Sequence, residues 1–144
     1  MPAAKDLARE SPRSPRERVG RYVIVGRTID KCRASIAGTL GDYHTNCPLD
    51  HLLLDWKEIG WEAFRAEIVA GSTDDEVVRF LDENGIEKSA EEVDAWSECM
   101  VAFVPLDSAA MREWFMGACE AMGFDPRTTT LFDYLDADDR ATFE

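Results

Sequence analysis

Apolar residues recur along most of this chain at intervals of three and four, the period of a single helix face. Tyr22, Val25, Ile29, Cys32, Ile36 and Leu40 form the longest such stripe. Gly38 and Gly41 close it, so the pattern predicts a helix near residues 22–40. The β-branched run Tyr22-Val-Ile-Val25 offers the alternative of a short strand at 22–25. After a loop over 42–48, Pro48 opens a short helix through Trp56. Trp61, Phe64 and Ile68 mark one face of the next helix, stopped at Gly71.

Two capping boxes follow. Thr73-x-x-Glu76 starts a helix with Val77, Val78 and Leu81 inward, and Gly85 ends it. Ser89-x-x-Glu92 starts another, with Val93, Trp96, Met100 and Phe103 on one face, broken at Pro105. Asp107 is placed to cap a helix that buries Met111, Trp114 or Phe115, Ala118 and Met122 before Gly123. Thr128–Leu135 reads as a last helix whose acidic continuation frays. Upstream, Ser14-Pro15-Arg16-Glu17 has the N-cap, N1 and N3 residues of a helix start. The expected fold is all-α: a compact bundle of six or seven short helices around the 22–40 helix, with α+β as the alternative. Residues 1–13 read as an extended polar segment, and 14–144 as a single helical domain.

Length and composition agree with one core. The chain has 144 residues, of which 45% are hydrophobic, ordinary for a globular domain. Charge is lopsided. The net value is −13, yet residues 1–35 carry nine basic side chains against four acidic ones. Two arrangements explain this: the basic part folds across the acidic body, within one chain or across a homodimer, or it forms an arm for nucleic acid. The acidic body would repel phosphates, which disfavours the arm. The first residues show no apolar stretch of a leader, and the longest apolar runs are too short to span a bilayer. Four cysteines lie far apart with no C-x-x-C pair, which reads as reduced thiols in a cytoplasm. Cys32, Cys99 and Cys119 read as small core residues.

Candidate chemistry concentrates between Arg27 and Asp50. Arg27, Asp30, Lys31 and Ala34 share a helix face, where Asp30 is placed to fix Arg27 by an i,i+3 pair. Such a face is either solvated or a partly buried cluster that receives an anion or a carboxylate from another segment. His44, Cys47, Asp50, His51 and Asp55 follow. His44, Cys47 and His51 are the residues a zinc ion would use, although their spacing matches no strong metal signature, and no cofactor is the simpler expectation. Cys47 also precedes a helix N-terminus, with His44 as a candidate base, the arrangement of a reactive thiol. Trp56, Trp61, Trp96 and Trp114 fall at apolar helical positions and read as core. Arg127-Thr-Thr-Thr130 reads as a plain N-cap. No phosphate loop, G-x-S-x-G or H-E-x-x-H motif is present.

Ser14-Pro-Arg-Glu-Arg18, Arg27-Thr-Ile-Asp-Lys31, Gly38-Thr-Leu-Gly-Asp-Tyr43, Cys47-Pro-Leu-Asp50 and Arg127-Thr-Thr-Thr-Leu-Phe-Asp-Tyr-Leu135 together resemble a bacterial family catalogued as a domain of unknown function. The similarity runs over roughly residues 6–139. It implies a bacterial, soluble, single-domain protein and carries no activity, cofactor or catalytic residue. From the residues themselves, the expectation is a binding domain for a small anionic ligand or a protein partner. Its pocket is framed by Arg27, Asp30, Lys31, Tyr43 and the 44–51 loop, Asp50 included. The alternative is a metal- or thiol-dependent enzyme using His44, Cys47 and His51.

Overall fold

A computed structural model describes residues 2–144. Among them the chain forms seven α-helices: α1 (Val25–Ala37), α2 (Pro48–Lys57), α3 (Trp61–Val69), α4 (Asp74–Glu83), α5 (Ala90–Val101), α6 (Arg112–Met122) and α7 (Leu131–Phe143). A short 3-10 turn at Pro105–Asp107 precedes α6. The fold is all-α, as the periodicity predicts. The only strand-like pairing among the described residues is an isolated bridge between Val19 and Tyr22, which removes the α+β alternative.

α1 is the central helix, but it begins at Val25 rather than Tyr22. Ile24 adopts φ 72° and ψ −42°, and the Val25 N–H bonds the Val23 carbonyl at 2.8 Å. That is a γ-turn of the rare positive-φ kind, strained for a β-branched residue. Its side chain, like those of Val23 and Val25, is wholly buried, so packing holds the turn in place. Apolar periodicity runs through Tyr22 because Tyr22 is a core residue, although its backbone is not helical. At the other end Gly38 takes the left-handed conformation that lets the last carbonyls be capped, as the glycine stop predicts.

The two capping boxes form as read. Thr73 Oγ1 accepts from the Glu76 N–H at 3.3 Å and Glu76 Oε1 from the Thr73 N–H at 3.0 Å. Ser89 and Glu92 do the same at 3.1 and 3.0 Å. Elsewhere local signals lose to tertiary partners. Ser14-Pro15-Arg16-Glu17 makes a turn, not a helix, because the Ser14 hydroxyl donates to Asp136 at 2.7 Å rather than capping a helix. Asp107 ends the 3-10 turn, and Met111 occupies the N-cap position of α6. α5 ends at Val101, short of Pro105. Cys99 and Trp114 are exposed rather than core, whereas Cys32 and Cys119 are buried as read.

The acidic end does not fray. α7 continues to Phe143 and turns Asp133, Asp136 and Asp139, three apart, toward the N-terminal part of the chain. Arg16 Nη2 meets Asp133 at 2.6 Å and its Nε meets Asp136 at 2.9 Å. Residues 2–24 are wrapped on the bundle, not held away from it. Leu7 is buried, its N–H bonds the Thr39 carbonyl at 2.8 Å, and any side chain at Gly41 would strike the Leu7 backbone. All nine basic residues of the first 35 form ion pairs within the chain. The basic charges of this part are thus paired internally, and the chain keeps its net charge of −13. No helix among the described residues is long and apolar enough to cross a membrane.

Candidate functional site

α1 is enclosed around most of its surface, so its charged face is buried along with its apolar one. Arg27, Asp30 and Lys31 are each at most 5% exposed. A buried charge is costly unless paired and hydrogen-bonded, and each of these three finds its partner on a different segment.

Asp30 pairs with Arg13, not with Arg27. It accepts the Arg13 backbone N–H at 2.8 Å and the guanidinium at 3.0 and 3.2 Å, while the same guanidinium reaches Asp74 at 2.7 Å. Gly26 makes this possible: a Cβ there would lie 3.2 Å from Arg13 Nε and 3.1 Å from Val19. The expected Asp30–Arg27 pair is therefore replaced by a longer-range one, and Asp30 stands apart from the pocket.

Arg27 turns instead to α7. Its Nη1 and Nη2 donate to the two carboxylate oxygens of Asp139 at 2.8 and 3.2 Å, a two-pronged geometry suited to Arg. Tyr43 completes the cluster. Its hydroxyl donates to Asp139 Oδ1 at 2.7 Å, and its ring lies 5.5 Å from the Arg27 guanidinium carbon. Burial and the Asp139 carboxylate both push the Tyr43 phenol well above its ordinary range, so it remains a donor.

Lys31, one turn along α1, meets α2. Its Nζ is 3.1 Å from Asp50 Oδ1 and donates to Cys47 Sγ at 3.3 Å. Asp50 is wholly buried and also accepts from the Thr28 hydroxyl at 2.9 Å and from the Cys47 N–H at 3.4 Å. Cys47 and Asp50 thus form the two halves of a capping box at the start of α2, where Pro48 fills the first helical position.

These polar pairs border a cavity of about 440 Å³. Arg27, Lys31, Tyr43, His44 and Cys47 line one end. The lining also has an apolar wall, built by Leu49 of α2, Met111 and Trp114 at the start of α6, and Leu131 and Leu135 of α7. Asp42 and Asp138 also line it. Trp114 is half exposed and packs edge-on against Tyr134, 5.6 Å between ring centroids. Of the residues read from sequence, Arg27, Lys31, Tyr43, His44 and Cys47 come together here, Asp50 lies directly behind Lys31, and Asp30 does not join them.

His51 faces away from this cavity. Its Nδ1 lies 2.9 Å from Asp55, one turn along α2, and its Nε2 contacts Asn46. Among the described residues no three His, Cys, Asp or Glu side chains converge as a metal site would require. Burial pushes the Cys32 thiol up to about 11 and raises Cys119 as well, which disfavours the thiolate at both.

Against this geometry, the family described as a domain of unknown function, DUF5069, matches residues 9–141. The chain belongs to the DUF5069 family. The match takes in Arg13, the whole of α1, Tyr43, Cys47, Asp50 and Asp139, so the ion pairs and hydrogen bonds described above for these residues lie inside the DUF5069 domain. A search among curated proteins finds no match. The family assignment brings no activity with it.

Sequence reasoning missed Arg13, Asp139 and the apolar wall. Asp133, Asp136 and Asp139 do repeat at a helical spacing, and carrying the last helix past Leu135 would have placed Asp139 on the face turned toward Arg27.

Proposed function

We propose that this DUF5069 domain binds a small molecule in the cavity between α1, α2, α6 and α7. The observation that carries the reading is the division of the cavity into one apolar wall and one polar end. Ligand sites are typically concave spaces of roughly 300–1,000 Å³ with mostly apolar linings and a few convergent polar groups. The chemistry of the ligand follows from the charges. Arg27 and Lys31 are each neutralised by a buried carboxylate, and Asp42 and Asp138 also line the cavity. A multiply charged anion such as phosphate gains little there. A ligand with an apolar body and one compact head fits better, the head being a single carboxylate or an amide that shares donors with Asp139 and Asp50. The four free cysteines support placing the protein in a reducing compartment.

The test is thermal denaturation with a series of alkyl carboxylates, the matching primary amides and inorganic phosphate. Stabilisation should rise with alkyl length and be absent for phosphate. Equal stabilisation by phosphate, with no dependence on chain length, would sink the apolar-wall reading.

A second reading is a thiol-dependent enzyme acting on the same ligand. It is favoured by Cys47, whose sulfur stands on the cavity wall at a helix N-terminus and accepts from Lys31. Burst alkylation of Cys47 that a bound carboxylate blocks would favour it. The zinc version has no comparable support, since His51 is directed at Asp55 and Asn46.

A further inference from the structure

Cys47 and Lys31 are the one cysteine–lysine pair at hydrogen-bond distance among the described residues, 3.3 Å from Nζ to Sγ. Lys31 is 3% exposed, so its amine is held against the sulfur instead of sweeping through solvent. Cys47 is half-buried and lines the cavity, which gives a small oxidant a route to the sulfur. Behind the amine stands Asp50, 3.1 Å away and wholly buried, positioned to take a proton from the ammonium. None of the other three cysteines has a lysine amine at hydrogen-bond distance: Cys32 is buried in the apolar core, Cys119 is buried on α6, and Cys99 is exposed on α5.

We propose that Cys47 and Lys31 form an oxidative modification site, closing to a covalent sulfur–nitrogen crosslink when peroxide enters the cavity. In the first step the Cys47 sulfur attacks one oxygen of hydrogen peroxide. The O–O bond breaks, the sulfur loses two electrons to the peroxide, and the second oxygen leaves as water with the thiol proton, giving a sulfenic acid. In the second step Asp50 takes one proton from the Lys31 ammonium and the freed amine attacks the sulfenic sulfur. The S–N bond forms, the S–O bond breaks, and the hydroxyl leaves as water with an amine proton. One peroxide is consumed, two waters are released and Asp50 ends protonated, so the buried carboxylate is not left as an unpaired charge. The crosslink ties α1 to the start of α2 and removes the Lys31 charge from the polar end of the cavity. It requires no ligand, so it stands or falls separately from the binding reading.

The test treats the full-length protein with hydrogen peroxide, blocks free thiols and maps peptides by mass spectrometry without reductant. The expected product joins the peptides carrying Lys31 and Cys47, is lighter than their sum by two hydrogens, and disappears on adding dithiothreitol. In Lys31→Arg the crosslink should vanish while Cys47 becomes trappable by dimedone, a sulfenic-acid reagent. Cys47→Ser should show neither product. The wild-type protein decides the matter even where a variant folds poorly: a Cys47 that resists peroxide, or a dimedone-trapped Cys47 with no crosslinked peptide, overturns the proposal.

Discussion

Lys31 Nζ lies 3.1 Å from Asp50 Oδ1 with both side chains shut off from solvent, and this pair fixes α1 against α2 at the polar end of the cavity. The pair is matched by Arg27 and Asp139, which fix α1 against α7. Both ties border the cavity, through Arg27 and Lys31, and its properties depend on both.

Removing one member of the Lys31–Asp50 pair strands the other as a buried charge. Asp50→Ala should destabilise the fold by about 3–5 kcal/mol, measured by urea denaturation. The double change Lys31→Met with Asp50→Leu should recover most of that loss, because two apolar groups of similar size leave no charge unpaired. A double variant as unstable as Asp50→Ala would show that the pair is not the source of the cost.

Asp139→Asn weakens the tie to α7. It removes the charge that Arg27 and Tyr43 both use, and breaking a buried pair of this kind costs on the order of 3 kcal/mol. The loss should be local at first. Hydrogen exchange should speed up along Leu131–Phe143 before it does in α3 or α4. Uniform acceleration across the helices would mean that α7 is not held by this contact.

Acid sensitivity follows from the carboxylates. The Arg13 hydrogen bond, followed by the charges of Arg13 and Arg33, holds Asp74 below its ordinary range. Backbone N–H groups at Thr73 and Ser89 do the same for Glu76 and Glu92. The unfolded chain takes up protons on these groups at higher pH than the folded one. Their contribution is therefore present above the ordinary carboxylate range, and is lost as pH falls from about 4 through the depressed folded values. Melting temperature followed from neutral to acid pH should decline in that window. Asp74→Asn should start less stable at neutral pH and decline less steeply; a parallel curve would exclude Asp74 from the effect.

Trp114 separates binding from folding. It is 49% exposed, so Trp114→Ala should cost at most about 1 kcal/mol of stability. As part of the apolar wall, the same change should lower affinity for alkyl carboxylates several-fold, read by titration calorimetry. Unchanged affinity would move the ligand away from α6.

Much of the fold was legible because its signals are local. Thr73 and Glu76, Ser89 and Glu92, Pro48 and Gly38 act within a turn of their own position, and each appears where the pattern put it. The misreadings share a cause: a distant partner outweighs a local preference. Ser14 has the form of an N-cap but bonds Asp136, and Asp30 has Arg27 three residues away but bonds Arg13. Tyr22 belongs to the stripe of α1 by burial alone, because a strained turn at Ile24 interrupts the backbone between them. Arg27, Lys31 and Tyr43 stood out as candidates from their mixture of charge and aromatic character, and all three line the cavity. The apolar wall was not, since Leu131 and Leu135 look like any core leucine until α7 is laid across α1.

The most direct measurement is an amide-shift map of isotope-labelled protein titrated with a fragment library of alkyl and aryl carboxylates and amides. The account predicts that hits share one footprint over Arg27–Lys31, Tyr43–Leu49, Ala110–Trp114 and Leu131–Leu135. Hits that cluster on another face, or a library that leaves these segments unmoved while binding elsewhere, would contradict it.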